Sequence, residues 1–313
     1  MNKTKKINLR SFRELLLVGV VIILCIIWTI MNSQFLSANN ISNILRQASY
    51  TAIAAVGMTM VIIIGEIDLS AGSLVCAAGL VGAVVCKNTD NVFFSVIAAI
   101  AVGAVIGTVN GVLCAIGKLP GFIASLASMT VLRGLAYIVT GGNSVVWSNE
   151  SFTMIGTGYI VGIPVPVIIM VIIIIFGVIL TSKTRFGRYI YSVGGNMEAS
   201  RWSGIAVEKV KILVYMIMGV LTAIAGLIIT TRLGSGQPSA GLNFEMDCIT
   251  AAVVGGTSMS GGRGKVMGTI VGVLLLTVLT NGMTLVGMNT YWQQVFKGVI
   301  IVISVLADTH SKK

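Results

Sequence analysis

KTRFGRYIYSVGGNMEASRWSGIAVEKVK, Lys183 to Lys211, is the longest polar run in a chain that is otherwise apolar, and its reading decides the fold. Inside it, Asn196 is a good N-cap, Glu198 falls in the first turn where the helix dipole favours a negative charge, and Gly204 can end the helix in a left-handed cap. The spacing predicts a helix of about two turns, too short to stand alone. Glu198 lies three residues before Arg201 and four before Trp202, so a charged and aromatic face is offered outward. Taken alone, the same run also reads as a hydrophilic loop between two spans.

Working outward, the flanks set the class. The 313 residues are 56% hydrophobic and 10% charged, with a mean hydropathy of +0.98, as in multi-spanning membrane proteins. A helix needs about 20 apolar residues to cross a bilayer, and ten windows near that length fall at 15–33, 49–65, 70–87, 92–116, 121–141, 163–181, 210–231, 246–261, 265–286 and 290–307. The second, third and eighth are the weakest. The fold class expected is all-α: a polytopic helical bundle of about ten transmembrane helices, one domain over 1–313. Its cytoplasmic parts would be tails at 1–14 and 308–313 and the polar loop at 182–209.

The net charge of +11 could point to nucleic acid, but the cations lie between apolar runs and not on one basic face. With Lys3, Lys5, Lys6, Arg10 and Arg13 ahead of an uncleaved first span, 16 of the 21 Lys and Arg fall on one side, 3 on the other (Arg46, Lys87, Arg232) and 2 within spans (Arg133, Lys297). That bias places the Lys183 to Lys211 loop and both termini in the cytoplasm. Cys25, Cys76, Cys86, Cys114 and Cys248 form no CxxC pair, and the single histidine, His310, lies in the tail. Neither a metal site, a disulfide framework nor His chemistry is indicated. GGTSMSGGRGKVMG, Gly255 to Gly268, fails as a phosphate loop because Met259 and Val266 stand where Gly and Ser or Thr are required.

Three features are expected inside the membrane. GEIDLSAG, Gly65 to Gly72, reads either as an ion relay through Glu66 and Asp68 or as a structural turn in which Asp68 or Ser70 caps the next helix. Gly103, Gly107 and Gly111 make a groove for a second helix. Asn110, Asn281 and Arg133 are polar groups that need partners or a wet path, and Arg133 is expected to find a carboxylate or backbone carbonyls. Beside these, Phe35 to Ser49 reads as an interfacial amphipathic turn, 142–162 as an outer loop, and Thr230 to Asp247 as an outer docking surface, lid or re-entrant turn.

Four motifs in order, GMTMVIIIGEIDLSAGS (57–73), TRFGRYIYSVGGNMEASRWSGI (184–205), GQPSAG (236–241) and VVGGTSMSGGRGKVMGT (253–269), resemble the ribose permease family, membrane subunits of bacterial ATP-binding-cassette monosaccharide importers. The segment Gly287 to Asp308 resembles the galactose-type members more closely. The resemblance implies a plasma-membrane permease with no catalytic residue, metal or bound cofactor, ATP and Mg being used by a partner ATPase. It further implies an extracytoplasmic sugar-binding protein and a second permease copy as partners. The ATPase-coupling role would fall to Gly194, Gly195, Asn196, Glu198, Ala199, Arg201, Ser203 and Gly204. An uncharged sugar needs hydroxyl and amide groups and apolar walls, so Asn110, Phe122, Ser125 and Asn281 are pathway candidates. Arg232, Gln237, Asn243 and Glu245 are candidates for binding-protein docking. The rival readings are a nucleoside permease of the same family, an ion-driven secondary transporter resting on Glu66 and Asp68, and a membrane enzyme, for which no catalytic motif is visible.

Overall fold

The computed structural model describes residues 9–310; of the expected tails, residues 1–8 and 311–313, with Lys3, Lys5, Lys6, Lys312 and Lys313, lie outside the described residues, as do the side chains of Arg10, Arg13 and His310. Thirteen α-helices and one two-residue-per-strand hairpin make up the described chain. Helix α1 is Leu9–Met31, and a 3-10 turn at Ser33–Leu36 leads into α2, Ala38–Ile63. The amphipathic turn expected at Phe35 to Ser49 is therefore mostly the start of α2. Ser37 caps it by accepting a hydrogen bond from the Asn40 amide, and Ile44 and Ala48 turn inward while Ile41 stays exposed.

Helices α3 (Ala71–Thr89), α4 (Val92–Ala115) and α5 (Gly121–Thr140) follow. The loop expected at 142–162 holds a short helix, α6 (Glu150–Thr157), capped by Asn149, and the hairpin β1 (Tyr159–Ile160) and β2 (Ile163–Pro164). Helix α7 is Val165–Lys183, opened by prolines whose missing amide costs nothing in a first turn. The polar stretch is not one helix but two, α8 (Arg185–Gly195) and α9 (Met197–Trp202). Helices α10 (Val207–Leu233), α11 (Phe244–Val254), α12 (Val266–Leu285) and α13 (Thr290–His310) complete the bundle.

Helices α2 and α10 form the spine. Seventeen of the 26 residues of α2 are buried, and from Thr51 to Ile63 it has no outer face to show. Gly103, Gly107 and Gly111 of α4 pack directly on the α10 backbone at Gly219, Tyr215 and Ile212, where any Cβ would collide, so the glycine groove read from the sequence is used as expected. Among the described residues six helices, α3, α4, α5, α7, α10 and α12, are each long and apolar enough to cross a membrane, and Leu16–Met31 is a shorter apolar helix.

Positions along the bundle can be read against α10. Gly57 of α2 meets Met218 and Leu221, Val75 of α3 meets Gly226, and Gly79 meets Thr230. The first turn of α3 therefore starts deep in the bundle, near the middle of α10. Ile64–Ser70, which begins beside α8, climbs there as non-helical chain. After α10 the chain does the reverse: Gly236 packs on Leu80 and Ala83, and Gly241 on Gly72, so 234–243 descends unwound to the level where α11 starts. With 11 residues α11 rises only ~16 Å, about half of a bilayer core. The window expected at 246–261 as a full span is thus a half-length helix followed by a glycine loop.

Candidate functional site

Helix α9 is a six-residue helix fixed at both ends. The Asn196 side chain accepts from the Ala199 amide at 2.9 Å, satisfying one orphan donor of the first turn. At the other end Gly204 takes φ +81°, Ile205 N–H returns to Ser200 O at 3.1 Å and Gly204 N–H to Arg201 O at 3.0 Å, the paired bonds of a Schellman cap. Arg201 bridges Glu198 at 3.1 Å and Glu208 at 2.6 Å, and the hydrogen bond and charge of Glu208 raise its pKa further. These groups are about half exposed, so water screens the pairs and they orient the side chains more than they stabilise the fold. Trp202 is 88% exposed. A bare tryptophan beside Glu198, Arg201 and Ser203 is the aromatic and charged face expected from the sequence, and a partner surface is what it lacks.

The seat of this element is built from backbone. Thr184 caps α8 through the Gly187 amide at 3.0 Å, and the Ser192 and Ser200 hydroxyls join α8 to α9 at 2.8 Å. At the end of α8, Gly194 presses on Ile63 O and the Gly262 amide, and a Cβ there would overlap the carbonyl. Gly262 N–H donates to the same Ile63 O at 2.8 Å, and Tyr191 Oη–H donates to Gly264 O at 2.8 Å. Gly65, Gly261 and Gly262 all adopt positive φ, which lets three chain segments meet without side chains between them. A cleft of about 310 Å³ opens here between Gly194, Gly195 and the Ser258–Arg263 loop. Of the coupling candidates, Gly194 is half-buried in this junction, Gly195 has open space around it, and Asn196, Glu198, Ala199, Arg201, Ser203 and Gly204 lie at the surface.

The break at Gly65–Ser70 is saturated with bonds. Glu66 accepts from Lys211 Nζ at 2.6 Å and from the Gly121 amide at 2.9 Å, joining α10 to the first turn of α5. Asp68, 1% exposed, accepts from both the amide and the hydroxyl of Ser70 at 2.8 and 2.6 Å. Ser70 holds the N-cap position of α3 but makes no side-chain cap bond, so the expected cap is an Asp68 turn instead. Asn110 Nδ2 donates to Ser70 Oγ at 3.0 Å and Ser128 Oγ donates to Asn110 Oδ1, while Ser125 accepts from the Leu69 amide at 2.9 Å. Asn110 and Ser125 are fully buried and bonded, so they brace the break and do not line an open path.

Other expected residues disperse. Asn281 forms a reciprocal amide pair with Asn40 at 2.9 Å, in the far half of α12 beside the Trp28 and Phe35 cluster. Phe122 is 51% exposed on α5. Arg133 donates to Pro238 O and Ala240 O at 2.7 and 2.8 Å, the carbonyl partners foreseen as one option. Glu245 is corrected: it is 8% exposed with its carboxylate against Gly72 in the first turn of α3, where the helix dipole favours it, and is not part of an outer face. Asn243, at φ +63°, is the turn residue that starts α11 at this depth. Gln237 donates to Ser235 Oγ at 3.1 Å, and Arg232 stacks over Tyr50 at 5.8 Å.

The family of branched-chain amino acid transport system permease components matches residues 40–305. This chain belongs to that family. Among curated relatives, the permease is 44% identical to the ribose import permease protein of Haemophilus influenzae, over 92% of this chain and 91% of the relative. It is 46% identical to the ribose import permease protein of Bacillus subtilis, over 91% and 89%. To the xylose transport system permease protein of H. influenzae it is 35% identical over the whole of both chains. No solved structure matches it. The permease is a multi-pass membrane transport component and not an enzyme. Among the described residues no group of three or more His, Cys, Asp or Glu could hold a metal ion, and all five cysteines are free.

Sequence reasoning missed Lys211, which it had counted only as a loop cation, and helix α8. The signal for α8 was present: Phe186, Ile190 and Val193 recur at helical spacing behind the capping Thr184. The signal for Lys211 was not, because only the fold brings it 145 positions back to Glu66.

Proposed function

We propose that this chain is the membrane-spanning permease subunit of an ATP-binding-cassette importer for a monosaccharide, a pentose of the ribose type. The two ribose import permeases, alike over nine-tenths of the chain, support the substrate class. The observation that carries the mechanism is α9: a doubly capped helix with an exposed tryptophan, seated on a glycine-rich junction of α8, the α2 terminus and the Ser258–Arg263 loop. A rigid knob on a tight backbone joint passes displacement into the bundle, since packed contacts shift as units and do not deform smoothly.

In this reading the chain is one membrane domain with ten crossings, at α1, α2, 64–89, α4, α5, α7, α10, 234–254, α12 and α13. Two of them are half extended chain and half helix, as in transporters whose broken helices end at mid-membrane. Both termini and the α8–α9 end face the cytoplasm of a bacterial cell, within its cytoplasmic membrane. An ATPase subunit, with ATP and Mg, receives α9 through Gly195, Asn196, Glu198, Ala199, Arg201, Ser203 and Gly204. A sugar-binding protein docks at the far end around Gln237 and the Tyr159–Pro164 hairpin, and a second permease copy completes the pathway. ATPase closure rocks α8 against α2 and the 255–265 loop, and the loop carries the motion to α11.

Uptake of radiolabelled ribose into sealed vesicles holding the complete complex tests this. ATP supplied on the α9 side should drive accumulation that collapses when the ATPase subunit is omitted. Accumulation that follows a proton or sodium gradient without ATP would overturn it.

A further inference from the structure

Four helices, α2, α10, α11 and α13, bring polar groups together away from the Gly65–Ser70 break. Tyr50 of α2 packs its ring on Phe244 of α11 at 6.2 Å between centroids, and the Arg232 guanidinium of α10 lies over the other part of that ring at 5.8 Å. Three residues beyond Phe244, and so on the same side of α11, Asp247 accepts an ion pair from Lys297 of α13 at 2.7 Å. The side chains of Asp247 and Lys297 are 29% and 27% exposed. Among the described residues Arg232 has no carboxylate at ion-pair distance.

Lys297 is the eighth residue of α13, and α11 starts level with the first turn of α3, deep in the bundle. Charges at such positions that remain a quarter exposed require water or a polar ligand beside them. This contrasts with Glu66 and Asp68, which are tied to Lys211, the Gly121 amide and Ser70. A carboxylate, two cations and an aromatic ring, held on rigid helices, are the groups that bind a neutral polyol. The carboxylate and the guanidinium take vicinal hydroxyls, and the Tyr50 ring holds the guanidinium in place.

We infer that Tyr50, Arg232, Asp247 and Lys297 form the intramembrane station that receives the sugar's hydroxyls on its way through the permease. The inference rests on the importer reading and stands as an alternative to the pathway set of Asn110, Phe122, Ser125 and Asn281. The Asp247–Lys297 pair is the neutral resting form of the station: a passing sugar exchanges hydroxyl bonds for the ion pair, which keeps the carboxylate satisfied whether the site is empty or filled.

The complete complex in membrane vesicles provides the test. Cysteine placed by Lys297→Cys or Asp247→Cys should react with a charged, membrane-impermeant thiol reagent, and saturating ribose with its binding protein should slow that reaction severalfold. The native cysteines are mostly buried, which keeps the background low. Asp247→Asn should lower ribose uptake about tenfold or more in a complex that still assembles, and should narrow the discrimination between ribose and 2-deoxyribose. The exchanged pair, Asp247→Lys with Lys297→Asp, should stay inactive. Labelling by lipid-soluble maleimide alone, or full uptake by the exchanged pair, would overturn the station, the second by reducing the pair to a brace between α11 and α13. ATP-independent uptake by the unaltered complex would instead defeat the importer reading on which the station depends.

Discussion

Two glycine-framed breaks meet at the same end of the bundle and are built to opposite ends. The first, Gly65–Ser70, carries acids, and every one is tied: Glu66 to Lys211 and the Gly121 amide, Asp68 twice to Ser70, and through Ser70 to Asn110. The second, Gly255–Lys265, carries no acid, relies on Gly256, Gly261 and Gly262 at positive φ, and borders an open cleft beside Gly194 and Gly195. A break held by buried charge stays in place, because losing one partner strands the other. The second break packs glycine backbone closely against its neighbours at Gly194, Gly261 and Gly262. In the proposed mechanism the first break anchors and the second transmits.

That contrast can be broken by substitution. The largest effect is expected at the anchor: Glu66→Leu strands Lys211, 7% exposed, and removes the acceptor of the Gly121 amide, so it should cost about 3–5 kcal/mol. Thermal unfolding of the purified protein in detergent should show this as a clear fall in midpoint; an unchanged midpoint would mean that the first break is not an anchor. Next, Gly194→Ala forces a methyl into Ile63 O and should cost about 1–3 kcal/mol. Its diagnostic effect is on coupling, with ATP hydrolysis retained in the assembled complex and transport per ATP reduced about tenfold. Should transport and hydrolysis fall in proportion, the junction is only structural.

Smaller still, Asn196→Ala removes the α9 cap, worth about 1 kcal/mol to a helix of six residues. Hydrogen exchange over residues 197–202 should accelerate there and hardly elsewhere. The smallest effect belongs to Gly195→Ala, one residue from the tightest contact but with nothing within 4 Å of the added methyl. It should change stability by less than about 0.5 kcal/mol. Equal damage at 194 and 195 would erase the distinction between a packed joint and a free surface.

Much of this was legible in the sequence. The α9 caps, Asn196 and Gly204, follow from local backbone chemistry that needs no tertiary context, and both stand where expected. The Gly103, Gly107 and Gly111 groove was equally readable, since three glycines on one helix face have little other use. The break at Gly65–Gly72 and a re-entrant turn within Thr230 to Asp247 were also among the readings. The end of α11 was not: hydropathy records that a segment is apolar and not whether it is coiled, so 255–261 blurs into the run before it. Glu245 was misplaced for the same reason: its loop reads as outer surface, and only the descent of Gly234–Asn243 carries it against Gly72. Asn110 and Asn281 stood out as polar residues in apolar helices, but sequence cannot tell a satisfied amide from one awaiting a ligand, and both proved satisfied.

The central claim, that a separate motor grips α9, is tested most directly by photo-crosslinking from Trp202, whose side chain is 88% exposed at the end of that helix. A photoreactive residue at position 202 in native membranes should yield one dominant protein adduct, a nucleotide-hydrolysing subunit, and lose it when ATPase and permease are dissociated. Adducts confined to lipid or to other copies of this chain, in membranes that still accumulate sugar, would contradict the account.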